Sequence, residues 1–277
     1  MSARSSEFSD LLAAKSSHRV FPVVREIFSD SLSPLGIYEA LAEDNEGSFL
    51  LESAEQGVWS RYSFVGVKVR GRLVQEAGQP VRWISASGQS VLPKDLGLNL
   101  PEGPLEALDL IQSSWGNENL ENGIPLTSGL IGTIAWDVIR DIEQLPAGPK
   151  DDNPVPRISF SLIQDLVVID HQSASIVLIS NVFLEGQTDE QLRHDFESAL
   201  ASIESMITAL SSGAKPFLAQ IDLNLEPEVV SNQSKENFLA IVERAKDHVR
   251  VGDVFQVVLS QRFQTQTNSS ALEMYRV

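Results

Sequence analysis

Cysteine is absent from all 277 residues, which removes disulfides, thiolate nucleophiles and thiolate metal sites together and agrees with a reducing compartment. Cations are scarce: 21 Lys and Arg stand against 38 Asp and Glu, a formal charge of −17. Such a surface repels a phosphate backbone instead of neutralising it, so nucleic acid is excluded as the main partner. No apolar run approaches the roughly 20 residues that span a bilayer, and the opening MSARSSEFSDLLAAK has no apolar core of signal-peptide length. A cytoplasmic location is the expectation. The phosphate-cradling GxxxxGKS/T and GxGxxG, the zinc-binding HExxH and the nucleophilic GxSxG are all missing. The four histidines, His18, His171, His194 and His248, are scattered and read as surface or turn residues. Asp151-Asp152 could suggest a cation site, but paired acids beside prolines read first as solvated loop.

What is present describes an ordinary globular chain, 42% hydrophobic and 21% charged, long enough for one large domain or two modest ones. Val23 to Ala42 carries apolar residues at helix-compatible spacing, interrupted from Ser29 to Pro34. Ser48 to Ser53 switches to a strand pattern, with a turn at Glu55-Gln56-Gly57. Arg61 to Val69 alternates at period two, and Arg72–Gln75 and Val81–Ile84 read as further short strands, a meander punctuated by Gly57, Gly66 and Gly71. Thr127 to Leu145 reads as a strand leading into an amphipathic helix carrying Ile134, Val138, Ile139, Ile142 and Leu145. Pro146, Pro149, Pro154 and Pro156 then impose a loop.

Asp165–Asp170 and Ser175–Leu184 flank the polar turn His171–Ala174, which predicts a hairpin. Thr188 and Gln191 form a capping box ahead of the stripe Leu192, Phe196, Leu200, Ile203, Ile207 and Leu210. Periodicity is lost from Ala214 to Gln233, a connecting segment, and a new unit begins near Ser234. Its helix stripe, Phe238, Ile241, Val242, Ala245 and Val249, ends at Gly252.

The run Gly252 to Phe263, GDVFQVVLSQRF, reads as a buried strand. Phe255, Val257, Leu259 and Phe263 share one face at a two-residue period, while Gln256, Ser260 and Arg262 share the other with Val254 and Val258. Burying a primary amide without partners costs roughly 1–3 kcal/mol, so Gln256 needs a ligand or a wet edge to face. Either reading fits the pattern.

Four segments resemble the large, chorismate-binding subunit of anthranilate synthase, the first committed enzyme of tryptophan biosynthesis. Phe49-Leu50-Leu51-Glu52-Ser53 with Arg61 to Gly66 is similar to that family's LLES and RYSFIG pair. Gly129 to Gly132 with Trp136-Asp137, Arg140 and Leu145-Pro146 is similar to its GGLVGYLGYDLVRYFEPLP segment. Ser231 to Arg250 resembles the helix before its GDIFQVVLSQRF strand, and Gly252 to Phe263 matches that strand except at Val254. Thr133, Trp136, Ser128, Ala135 and Lys68-Val69 depart from the family pattern.

The resemblance implies an α+β fold: an antiparallel-sheet-rich sandwich with flanking helices, followed by the start of the chorismate-binding α/β domain. It implies a division into residues 1–225, a regulatory tryptophan-binding domain, and 226–277, a truncated beginning of the catalytic domain. Leu51, Glu52 and Ser53 are the implied effector residues, a carboxylate and a hydroxyl supplying part of what a free amino acid needs; read without the resemblance, Glu52 simply pairs with Arg61. Gln256 is the implied catalytic residue. In water-adding relatives a lysine stands there as base, whereas a neutral amide orients ammonia, which is already nucleophilic.

Activity would then be amination of chorismate with loss of pyruvate. The partner would be a glutamine amidotransferase subunit and the cofactor Mg²⁺, bound by glutamates absent from this chain, which alone would not turn over. The alternatives are the aminodeoxychorismate synthase subunit of folate synthesis and a non-catalytic tryptophan-binding or docking module.

Overall fold

The turn His171–Ala174 joins the two strands around which the rest is built. In the computed structural model, described for residues 5–29, 31–43, 45–53, 61–86, 100–115, 123–146, 148, 155–212 and 228–277, β6 (Ile158–Asp170) and β7 (Ser175–Phe183) pair antiparallel from Asp170↔Ser175 to Asp165↔Ser180. Two compact units are present, Met1–Pro216 and Phe217–Val277. The expected boundary at 225/226, the turn at Glu55-Gln56-Gly57 and the Asp151-Asp152 pair lie outside the described residues.

In the first unit, β1 (Val20–Phe28), β2 (Phe49–Leu51), β3 (Tyr62–Gln75), β4 (Arg82–Ser85) and β5 (Leu130–Ile134) join the hairpin in a seven-stranded sheet of order β1-β7-β6-β3-β2, with β4 on β3 and β5 on β6. All pairings are antiparallel. With α1 (Phe8–Ala14), α2 (Pro34–Leu41), α3 (Pro104–Trp115) and α4 (Asp189–Ser211) the fold is α+β, as expected.

Alternate residues of β6 serve opposite faces. Val167 and Ile169 join Val65, Val67 and Leu178 under α4, whose Leu192, Phe196, Ile203 and Leu210 are buried; Leu166 and Val168 join Val177 and Ile179 on the other side. Each such fully buried Leu, Ile or Val contributes about 1.5–3 kcal/mol. The Thr188–Gln191 capping box forms as expected, with Gln191 N–H donating to Thr188 Oγ1 at 3.3 Å and Thr188 N–H to Gln191 Oε1 at 3.0 Å.

In the first unit three expectations are corrected. Val23–Phe28 is strand, not helix: Val20, Phe21, Val23 and Val24 are all buried, so both faces are covered and the spacing loses its helical meaning. Pro22 is tolerated because β1 is the sheet's last strand. Arg61–Val69 and Arg72–Gln75 are one 14-residue strand, with register shifts between Gly66 and Gly71 that keep it continuous through its glycines. The helix expected up to Leu145 shrinks to a six-residue 3-10 turn, Trp136–Asp141, in which Val138 is buried while Ile142 and Leu145 stay exposed. Ile134 belongs to β5, so the apolar row that suggested the helix is shared between a strand and the short turn after it.

Gly66 lies opposite Phe49 in the β2–β3 pair, and a Cβ there would come within 2.2 Å of the Phe49 ring. The ring covers the bare backbone. Gly66→Ala is expected to displace Phe49 and cost about 1–3 kcal/mol, read as a lower urea midpoint. An unchanged midpoint would show that β2 does not depend on this contact.

In the second unit α5 (Lys235–Val251) starts on Ser234, whose Oγ accepts from Asn237 N–H at 3.1 Å, and ends at left-handed Gly252 (φ 87°). The long strand expected after it is not formed. Only β9 (Phe263–Gln264) pairs, with β8 (Val230–Ser231), before α6 (Ala271–Arg276). Gln256 is exposed and Phe255 is 95% exposed. A strand needs neighbours on its edges, and among the described residues β8 alone supplies any.

Candidate functional site

The β2–β3 pair carries the effector candidates. Leu51 closes β2 opposite Phe64 with its side chain partly exposed, while Leu50 packs against the core. Chain direction then changes, and Ser53 is fixed by two bonds: its Oγ donates to Tyr62 O at 2.7 Å and its N–H donates to Ser63 Oγ at 3.1 Å. Ser63 is fully buried and its Oγ lies 2.7 Å from His171 Nε2. Ser63 Oγ thus links the Ser53 N–H to the imidazole. Ser53 Oγ, having donated its proton, keeps its lone pairs for an incoming N–H donor; the exposed Glu52 carboxylate beside it is a second acceptor.

Arg61 is committed elsewhere. Its Nε and Nη2 bind Asp170 Oδ1 and Oδ2 at 2.9 and 2.6 Å, a bidentate pair across the β3–β6 register, and its guanidinium lies 4.8 Å from the Tyr62 ring centre. The Arg61 hydrogen bonds hold the Asp170 carboxyl down at about 2, against burial, with help from Gln172 N–H; Asp170 in turn raises Arg61. Asp170 is the carboxylate that the structure pairs with Arg61. Asp170, Ser63 and His171 were not marked by the sequence, since their partners are distant along the chain. The one readable signal was a serine on the inward phase of an otherwise apolar strand.

This pair sets an acid-stability component. Asp170 is ionised in both folded and unfolded chains above 3.8, so its contribution is complete there and disappears as pH falls through about 2. Arg61→Met is expected to lower the urea midpoint at neutral pH, with the gap from the parent closing between those two values. A gap that stays constant down to the lower one would contradict the assignment.

Gln256 lies in the second unit, four residues past the Gly252 cap. There His248 Nδ1 and Asp253 Oδ2 are 2.8 Å apart, fixing the turn, and Gln261 Nε2 donates to Ser231 Oγ at 2.6 Å. None of the α5 residues is buried, so its apolar row is open alongside the exposed Phe255, Val257 and Val258. Leu51–Ser53 and Gln256 thus sit in different units. Among the described residues no group of three or more His, Asp or Glu is placed to hold a metal ion, and no helix is long and apolar enough to cross a membrane.

The chorismate binding enzyme family profile matches residues 46–277. Anthranilate synthase component 1 of Mycobacterium tuberculosis is 36% identical over 273 residues, 96% of this chain and 50% of that protein. Its counterpart from Arthrobacter globiformis is 30% identical over 279 residues, 98% of this chain and 50% of its own length. Among solved structures, anthranilate synthase component I from Streptococcus pneumoniae overlays with a TM-score of 0.58 at 22% identity, over 90% of this chain and 51% of that one, a likeness of fold. The chain spans about half the length of the relatives it matches.

Proposed function

The chain belongs to the chorismate-binding enzyme family, and from that premise we propose that it forms the regulatory unit and the opening of the catalytic unit of an anthranilate synthase component I. The similarity to component 1 proteins along 96% of the chain carries this reading. The complete enzyme would add ammonia to chorismate with loss of water, then release pyruvate to leave anthranilate. Ammonia would come from a glutamine amidotransferase subunit, in the cytoplasm. Mg²⁺ would bind substrate carboxylate through ligands outside this chain. Gln256 would orient ammonia through its amide without removing a proton.

Leu51, Glu52 and Ser53 would receive L-tryptophan, the pathway end product. Ser53 Oγ, with its proton on Tyr62 O, and Glu52 are acceptors suited to the ammonium. Ser53→Ala in the complete enzyme is expected to raise the tryptophan concentration for half-inhibition by about tenfold, the loss of one charge-assisted hydrogen bond, while uninhibited kcat and KM are kept. Inhibition unchanged in the variant would remove Ser53 from the site; a parent enzyme indifferent to tryptophan would remove the regulatory reading.

A further inference from the structure

Where β6 and β7 part, the sheet opens into a second polar site. Their ladder ends at Asp165↔Ser180; beyond it Asn181–Phe183 pair with β1 and Ile158–Leu162 with β3 and β5. The amides of Gln164 and Asn181 bridge the gap, Gln164 Nε2 donating to Asn181 O at 2.6 Å and Asn181 Nδ2 to Gln164 O at 3.3 Å. A cleft of about 470 Å³ lies at this divergence, walled by β3 and α4, within the size range of small-molecule sites.

Asp165 lies in it, 1% exposed, in a run that is otherwise apolar from Leu166 to Ile169. Ser180 Oγ donates to its Oδ1 and Ser202 Oγ to its Oδ2, each at 2.7 Å. The nearest cation, Lys68 Nζ, is 3.7 Å from Oδ2, beyond hydrogen-bonding reach, on a side chain that is more than half exposed. A buried carboxylate is stable when a counter-charge touches it and its lone pairs are filled; here two neutral hydroxyls do that work and the ammonium stands off. Asn181, 2% exposed and also lining the cleft, has an Oδ1 with no partner. Among the described residues, Asp195 on α4 accepts from Gln187 Nε2 alone, at 3.3 Å. The cleft is therefore short of N–H donors.

Charge narrows the ligand. Arg70 is closed off by Glu185 and stacked 4.2 Å from the Phe183 ring centre, which leaves Lys68 as the adaptable cation. A simple anion would meet Asp165, and a bare cation would meet Lys68 and Arg70. We propose that this cleft binds a free α-amino acid, its carboxylate taking Lys68 Nζ and its ammonium taking the partly exposed Asp195 carboxylate, with buried Asp165 as a second negative charge behind it. The lining is mostly serine, amide and acid, so the fitting side chain is small and polar. The site is separate from Leu51–Ser53, which lie against Tyr62–Phe64 at the start of β3, whereas Lys68 and Arg70 stand in its middle, and the proposal does not rest on the effector reading.

Thermal unfolding of the protein with L-serine, L-asparagine or L-glutamine at about 10 mM, against methylamine and acetate alone, tests it. At least one amino acid is expected to raise the midpoint while neither half-ligand does. Lys68→Met is expected to weaken binding by about tenfold in calorimetry, and Asp195→Asn, a change at a partly exposed side chain, to weaken it at least as much. Ser53→Ala keeps the shift. No shift with any amino acid, an equal shift in Lys68→Met, or a shift lost in Ser53→Ala would each overturn the proposal.

Discussion

Gln256→Lys in the complete enzyme is expected to lower ammonia-dependent anthranilate formation by about a hundredfold or more. A positioned group that sets the angle of a nucleophile commonly contributes that much, because misplacement by about 1 Å costs on the order of a hundredfold. Lysine brings a fixed positive charge, or after deprotonation a base, to a place where a neutral amide holds ammonia. A base there favours water as nucleophile, so some of the lost amination is expected to reappear as a hydroxylated product. Activity with ammonium within about threefold of the parent would remove Gln256 from the mechanism, since that is less than about 1 kcal/mol of transition-state stabilisation.

The second large effect is on stability. Trp83 in β4 is 2% exposed, lies over Gly71, where a Cβ would fall 2.4 Å from the ring, and meets Trp115 of α3 at 5.7 Å between ring centres. Trp115 in turn contacts Phe183 edge-on at 5.6 Å, and Arg70 lies over both rings. Trp83→Ala removes the ring at the Gly71 end of this stack. A loss of about 3–5 kcal/mol is expected, a large fraction of the roughly 5–15 kcal/mol total of a domain, seen as a urea midpoint shift at constant slope. A loss below about 1 kcal/mol would mean that α3 and β4 are not held through this stack.

Elements written in local signals were legible before the structure. The β6–β7 hairpin follows from two apolar runs around four polar residues, α4 from its capping box and single stripe, and α5 from its stripe ending at Gly252. Elements whose identity depends on distant neighbours were not. Val20–Phe28 is strand because β7 lies on one edge and both of its faces are covered, a fact no window of nine residues contains. The bulged continuity of β3 needs β6 as a template. The Gln256 segment has strand periodicity but few edges to pair with here, and so stays extended and open.

The site divides in the same way. Leu51, Glu52, Ser53 and Gln256 stood out because short motifs carry them. Their supports did not, because Ser63 finds His171, and Arg61 finds Asp170, across more than a hundred residues of chain. Asp165 only opens an apolar run in the sequence, and the hydroxyls that bind it, Ser180 and Ser202, arrive from β7 and α4.

The central claim is that the complete enzyme aminates chorismate and releases pyruvate. The direct measurement takes the enzyme expressed from its natural gene, supplied with chorismate, ammonium and Mg²⁺, and follows anthranilate fluorescence and pyruvate together. Anthranilate and pyruvate appearing in equal amounts is the predicted result. An aminated product that retains its enolpyruvyl group, with no pyruvate released, would instead place the chain in the folate branch and contradict the account.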